Sequence, residues 1–331
     1  MNITIIGAGA WGTALAISLS AHHRVTLWAR DADQIAAMQA TRINQQYLPG
    51  IELPAAIQLS ADFPAALAAA ELVIVAVPTA GLRQALQQLV QLPRHFDVVW
   101  LCKGFEAETA KLPHQVAAEV LPKGFRSGVL SGPSFAQEVA RGFPTALTLA
   151  SADAEFARST AQALHHAYLR IYPGNDLVGV EVGGAVKNVM AIAAGISDGL
   201  GLGLNARAAL LTRGLAEITR LGLNLGGRPE TLSGLSGVGD LILTCTGDLS
   251  RNRQVGLLLV QQHDLPEILR RLGHVAEGVY TVREVHHLAQ RLGVAMPICE
   301  AVYRILYERI PPAEMVTALL NRAPNLEFDG A

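Results

Sequence analysis

Lys187 sits in the run GGAVKNVMA, residues 183–191, a small-residue, apolar stretch of helical character. Burying an unpaired ammonium costs several kcal/mol, so a lysine here needs a reason. Either its long stem snorkels to the surface, or it is held inside for chemistry. An amine that can lose a proton serves as a general acid or base. Arginine cannot play that part. Only four of the chain's 26 Lys and Arg residues are lysines, at positions 103, 111, 123 and 187. Retained lysine in so arginine-rich a chain points to function; lineage bias is the competing explanation. Lys103 closes the apolar run VVWLCKG, and in open α/β sheets a ligand lies at the carboxyl ends of the strands.

The segment GAGAWG places glycines at 7, 9 and 12 directly after the apolar run NITII. That spacing, between a strand and a helix, fits a dinucleotide-binding turn. Gly7 permits the tight turn, Gly9 lets backbone approach a pyrophosphate, and Gly12 lets helix and strand pack closely. Trp11, inside the turn, either covers the bound dinucleotide or fills core. The second strand ends LWARD. Arg30 is placed to meet a 2′-phosphate, which favours NADP over NAD; a solvated surface arginine is the alternative. Asp31 reads as a helix cap, completed as a capping box by Gln34.

The elements that must position these groups follow from periodicity. Apolar runs at NITIIG, RVTLWA, ELVIVAVP and FDVVWLCKG alternate with helical patterns. GVLSGPSFA, TALTLAS and LRIYPG add strands up to about residue 173. This predicts a Rossmann-type, doubly wound parallel sheet. From Leu177 onward the spacing is helical, so an all-α domain follows. The boundary falls near 175–190, dividing the chain into a dinucleotide-binding domain, 1–180, and a helical substrate domain, 181–331. In LSGPSFA, the strand, Gly132-Pro133-Ser134 and a helix start leave free N–H groups and a hydroxyl at one point. In LSRNRQV, Ser250 is a good N-cap for a helix from Arg251. Its free N–H groups favour an anion, with Arg251 able to add a bidentate grip.

Composition excludes several classes. The 331 residues carry a net charge of −2, with no basic footprint for nucleic acid. Three scattered cysteines suggest neither disulfides nor zinc, hence a reducing, cytoplasmic compartment. Residues 189–204 come nearest to a membrane span, and Asp198 with its glycines argues against one. Ten histidines show no triad or metal spacing, and no metal is expected. Apolar helix faces are compatible with a homodimer.

GAGAWGTALA, LSGPSFAQEVA, VKN, GLSGVGDLILTCTG, SRNRQVG and VAEGVYT together resemble the bacterial-type NAD(P)-dependent glycerol-3-phosphate dehydrogenases, over essentially the whole chain. The resemblance implies reduction of dihydroxyacetone phosphate to sn-glycerol 3-phosphate by hydride transfer from NADH or NADPH, supplying phospholipid synthesis. It implies that Lys187 transfers the proton, that Lys103 is a second active-site lysine and that Asp240 is a substrate-binding acid. Gly132, Ser134, Ser250, Arg251 and Asn252 match substrate positions. Ala136, Val275 and Glu277 match cofactor positions, which Arg251 and Lys103 share. Asn188 and Thr244 are further candidates, beside Lys187 and one turn after Asp240. Desolvation and Lys103 would lower the Lys187 pKa from its usual ~10.4 and Asp240 would raise it, so its net direction is open.

Two rivals are a related reductase or β-hydroxyacid dehydrogenase acting on a carboxylate, and a non-catalytic NADP sensor. Arg30→Ala is expected to lower kcat/KM for NADPH much more than for NADH. Steady-state kinetics with each cofactor check this; equal losses would remove the phosphate role.

Overall fold

The computed structural model describes residues 1–273 and 276–323. The first half runs β1 (Asn2–Ile6), α1 (Ala10–Leu19), β2 (Arg24–Trp28), α2 (Ala32–Thr41), β3 (Gln58–Ser60), α3 (Phe63–Leu67), β4 (Leu72–Val75) and α4 (Thr79–Val90). It continues through β5 (Asp97–Trp100), α5 (Pro113–Val120), β6 (Ser127–Ser131), α6 (Ala136–Ala140), β7 (Thr145–Ala150), α7 (Ala154–Leu164) and β8 (Leu169–Gly174). The strands form one sheet in the order β3-β2-β1-β4-β5-β6-β7-β8. Period-two alternation makes it a two-faced layer. Leu72 and Ile74 of β4 join α1 and α7 in one core, while Val73 and Val75 join α4 and α5 in another.

Two expectations need correction. The sheet is mixed, because β7 runs antiparallel to β6 and parallel to β8. The return through α6, a helix of five residues, brings β7 back alongside β6 in the opposite direction. Asp31 does cap α2, accepting from the N–H groups of Asp33 and Gln34. The Gln34 side chain, however, does not close a capping box. Its Nε2 donates to the Ala8 carbonyl at 2.8 Å, inside the glycine turn.

The second half is helical. It comprises α8 (Leu177–Gly199), α9 (Gly203–Asn224), α10 (Pro229–Leu232), a π-helical turn at Leu235–Gly239, α11 (Asp240–Thr246) and α12 (Arg251–Val260). Then come α13 (Leu265–Leu272), α14 (Glu277–Leu292), α15 (Pro297–Tyr307) and α16 (Pro312–Leu320). Helix α8 is the hub: every residue from Gly179 to Ser197 is buried. It is long and apolar enough to cross a membrane, yet 89% of its most apolar window lies inside the protein. Its small residues explain the hub. A Cβ on Gly195 would lie 2.0 Å from the Arg253 carbonyl oxygen, so only glycine lets α12 press against α8. Lys187 is carried in the middle of this helix.

Candidate active site

The glycine turn is built as its spacing predicts. Gly7 adopts φ 114°, and a Cβ there would meet the Ala76 carbonyl oxygen at 2.6 Å. A Cβ on Gly12 would collide with the Gly7 carbonyl oxygen at 2.1 Å. Gly9 faces open space and starts α1 with no side-chain cap. The first-turn N–H groups of α1 therefore stand before an empty approach, which fits the pyrophosphate of a dinucleotide. Asn44, missed by sequence reasoning, braces the turn from a buried position. Its Nδ2 donates to the Ala8 carbonyl at 2.9 Å and to Thr13 Oγ1 at 2.8 Å. It lies outside any regular pattern, so spacing carried no signal for it. Arg30 is exposed, two residues beyond β2. Trp11 is partly buried and packs, with Ala136, against Ala14, Leu48 and Val139.

Asp240, only 1% exposed, lies at the start of α11. Each of its carboxylate oxygens holds one lysine. Lys187 Nζ donates to Oδ1 at 2.6 Å and Lys103 Nζ to Oδ2 at 2.7 Å. Lys103 arrives from the loop after β5 and Lys187 from α8, so the carboxylate joins the sheet half to the helical half. Lys187 also donates to Thr244 Oγ1 at 2.8 Å, and that hydroxyl donates to the Asp240 backbone oxygen at 2.6 Å. Lys103 adds a bond to the Gly132 carbonyl at 3.1 Å, which Ser134 Oγ shares at 3.0 Å. Among the described residues two of the three Lys187 donors are thus committed, which leaves one for a ligand.

The direction left open by the sequence has an answer. Burial, the largest influence, lowers the Lys187 pKa; Asp240 raises it and Lys103 lowers it again. The amine is pushed down to about 8. Burial drives the thiol of Cys245, in α11, up to about 12, so it stays a neutral apolar filler, as does buried Cys102.

At the other end, Ser250 caps α12, its Oγ accepting from the Arg253 N–H at 3.3 Å. Arg251 is exposed at the first position of that helix. Asn252 is buried and mostly spoken for: Oδ1 accepts the Gly278 N–H at 3.0 Å, and Nδ2 donates to Asn188 Oδ1 at 2.9 Å. One Nδ2 hydrogen is left over. Glu277, which opens α14, reaches across to the sheet half and accepts from the Thr79 N–H at 3.3 Å. Burial raises its pKa, while that N–H and the charges of Arg251, Lys103 and Lys187 pull it down. These four charged side chains share one electrostatic neighbourhood. Val275 lies outside the described residues. Ser131, missed by sequence reasoning, adds a buried hydroxyl near the Lys103 side chain that has no partner among the described residues.

Chemically, the arrangement offers a nucleotide-ready helix end, two lysine amines on one buried carboxylate, and an arginine-bearing helix start whose charge is felt at Glu277 together with those of both lysines. Two family models match the chain: "NAD-dependent glycerol-3-phosphate dehydrogenase N-terminus" over residues 2–157 and the corresponding C-terminus over 176–317. The chain is 60% identical over 329 residues to the glycerol-3-phosphate dehydrogenase [NAD(P)+] of Nitrosomonas eutropha, covering 99% of this chain and 100% of that one. It is 60% identical to the enzyme of the same description from Thiobacillus denitrificans, at the same coverage. The crystal structure of glycerol-3-phosphate dehydrogenase from Coxiella burnetii superimposes with a TM-score of 0.93 at 42% identity, covering 97% of this chain and 99% of that one.

The depressed Lys187 pKa has a consequence for stability. Between about pH 8 and the ordinary value of 10.5, the unfolded chain holds a proton at this amine that the folded chain has released. Stability should therefore rise with pH across that window, by on the order of 1 kcal/mol per pH unit from this group. Urea denaturation of the wild type and of Lys187→Met at several pH values checks this; the rise should be absent in the variant.

Proposed function

The chain belongs to the NAD-dependent glycerol-3-phosphate dehydrogenase family, and from that membership we propose how its cleft interconverts dihydroxyacetone phosphate and sn-glycerol 3-phosphate. The cofactor, when bound, supplies hydride to the ketone carbon or recovers it from the alcohol carbon. The chain's own residues manage the proton, the charge and the geometry.

In the reducing direction Lys187 donates a proton to the carbonyl oxygen as that oxygen becomes a hydroxyl. In the oxidising direction its neutral amine takes the proton back. A pKa of about 8 suits both tasks, because a general acid or base works best near the operating pH. Lys103 polarises the carbonyl. Asp240 orients both amines and lies within reach of a substrate hydroxyl. The observation that carries this reading is the pair of lysines on opposite oxygens of one buried carboxylate, at 2.6 and 2.7 Å.

Ser250, Arg251 and Asn252 bind the ester phosphate at the start of α12, where free N–H groups and a guanidinium favour a dianion. Gly132 and Ser134 line the substrate's other flank. Gly7, Gly9 and Gly12 admit the pyrophosphate, with Trp11 and Ala136 packed beside it. Val275 and Glu277 complete the cofactor side. Arg30 recognises a 2′-phosphate, which makes NADPH the preferred donor. The division into a dinucleotide-binding domain, 1–180, and a substrate domain, 181–331, falls in the first turns of α8, and the cleft is the seam between them. Phospholipid supply, a cytoplasmic location and a homodimer belong to the same reading.

The test is oxidation of NADPH and NADH by the purified protein with dihydroxyacetone phosphate and, separately, with dihydroxyacetone. Turnover should require the phosphate ester; equal turnover of the two ketones would defeat the phosphate site. Lys187→Ala should lower kcat by ~10²–10⁴-fold, the usual loss for a general acid or base. Arg251→Ala should raise KM for the ester by roughly 10–100-fold, as expected for charged hydrogen bonds.

A further inference from the structure

Asn252 joins three helices as well as flanking the anion end of the cleft. Through Nδ2 it is tied to Asn188 of α8, the residue next to Lys187; through Oδ1 it holds the second residue of α14, Gly278. All three residues are buried. A buried amide left without its partner is costly, which favours one defined arrangement of the pair.

Gly278 makes the connection stiff. A Cβ at this position would stand 2.7 Å from the Asn188 backbone oxygen and 2.8 Å from Asn252 Oδ1. The first turn of α14 is thus pressed directly on both asparagines, with no flexible side chain between to absorb a shift. The residue before Gly278 is Glu277, whose carboxylate accepts from the Thr79 N–H. Thr79 is the first residue of α4, a helix with no side-chain cap of its own. That helix starts from the carboxyl end of β4, beside β1 and the glycine turn, since the Gly7 backbone approaches Ala76. A continuous set of bonds therefore runs from the 250–252 turn, through Asn252 and Gly278, to Glu277 and the dinucleotide edge of the sheet.

We propose that the Asn188–Asn252–Gly278 contact is a latch that couples binding of the phosphate ester to binding of the dinucleotide. An ester held at Ser250–Asn252 fixes Asn252, which fixes the start of α14 and hence Glu277 against the sheet half. Coupling of this kind is reciprocal, so the dinucleotide tightens the ester by the same factor. Asn188 and Gly278 act here as positioning residues. The inference rests on the ester and cofactor sites proposed above.

The test uses NADH with sn-glycerol 3-phosphate, a pair between which no hydride can pass. NADH affinity is measured by fluorescence titration, with and without saturating glycerol 3-phosphate. The variants are Gly278→Ala, which wedges the contact apart, and Asn188→Ala, which removes one tether of Asn252; thermal melting and circular dichroism confirm that each is folded. In the wild type the ester should tighten NADH by about 5-fold or more, within the usual range of such couplings. In a folded variant the factor should fall towards onefold, while NADH binding without the ester stays within about threefold of the wild type, well inside that coupling. A wild type without coupling, or folded variants that keep it, would overturn the latch. Direct calorimetric titration of the NADH-loaded wild type with glycerol 3-phosphate separates the two failures: an ester that does not bind at all would instead overturn the functional reading beneath the latch.

Discussion

One buried carboxylate, shared by two lysines from opposite halves of the chain, organises this molecule's chemistry. Asp240 is enclosed, so its charge is tolerable only because cations sit on both oxygens. Each lysine in turn is held where the other's charge is felt. The Lys187 amine is squeezed between burial and Lys103, which disfavour its proton, and Asp240, which favours it. Removing Asp240 or Lys103 changes the balance at Lys187. The catalytic potential of the cleft and the joining of its two halves therefore rest on the same bonds.

That arrangement places a demand on α8. A helix that offers an amine to a buried carboxylate must be packed tightly enough to exclude water around it. Sequences rich in leucine would keep neighbouring helices about a side chain away. The GGAVKNVMAIAAG run brings them to backbone contact instead, with α12 against Gly195 and the π-helical turn against Gly183. The same closeness lets Asn188 reach Asn252, so the amine and the start of α12 are set from one element. Glu277 and Thr79 make a second link between the two halves.

Much of this was legible in the sequence. Strands of alternating apolar residues, the glycine turn, the α2 cap at Asp31 and the change to helical texture near Leu177 are local signals, and the structure has them where the patterns put them. What could not be read depends on distant contacts. The direction of β7 is set by its pairing with β6 and β8 across the sheet, and β3 spans three residues with no period to detect. Gln34 looked like a cap partner, because nothing in its neighbourhood reveals that the Ala8 carbonyl is nearer. In the site, the residue types were visible but their electrostatic balance was not. Whether Lys187 is pushed up or down depends on which of three opposing influences is closest. Likewise, Asn252 reads as a ligand from its motif, and its further ties to Asn188 and Gly278 have no local signal.

The most direct test of the central claim is a titration of the lysine side chains themselves by nuclear magnetic resonance, practical because the chain has only four. With isotope-labelled lysine, one resonance, assigned to Lys187 by substitution, should titrate near 8. Its midpoint should fall further in Asp240→Asn, which removes the charge that sustains the proton. Four lysines all titrating near the ordinary 10.5, or a Lys187 midpoint indifferent to that substitution, would contradict the account.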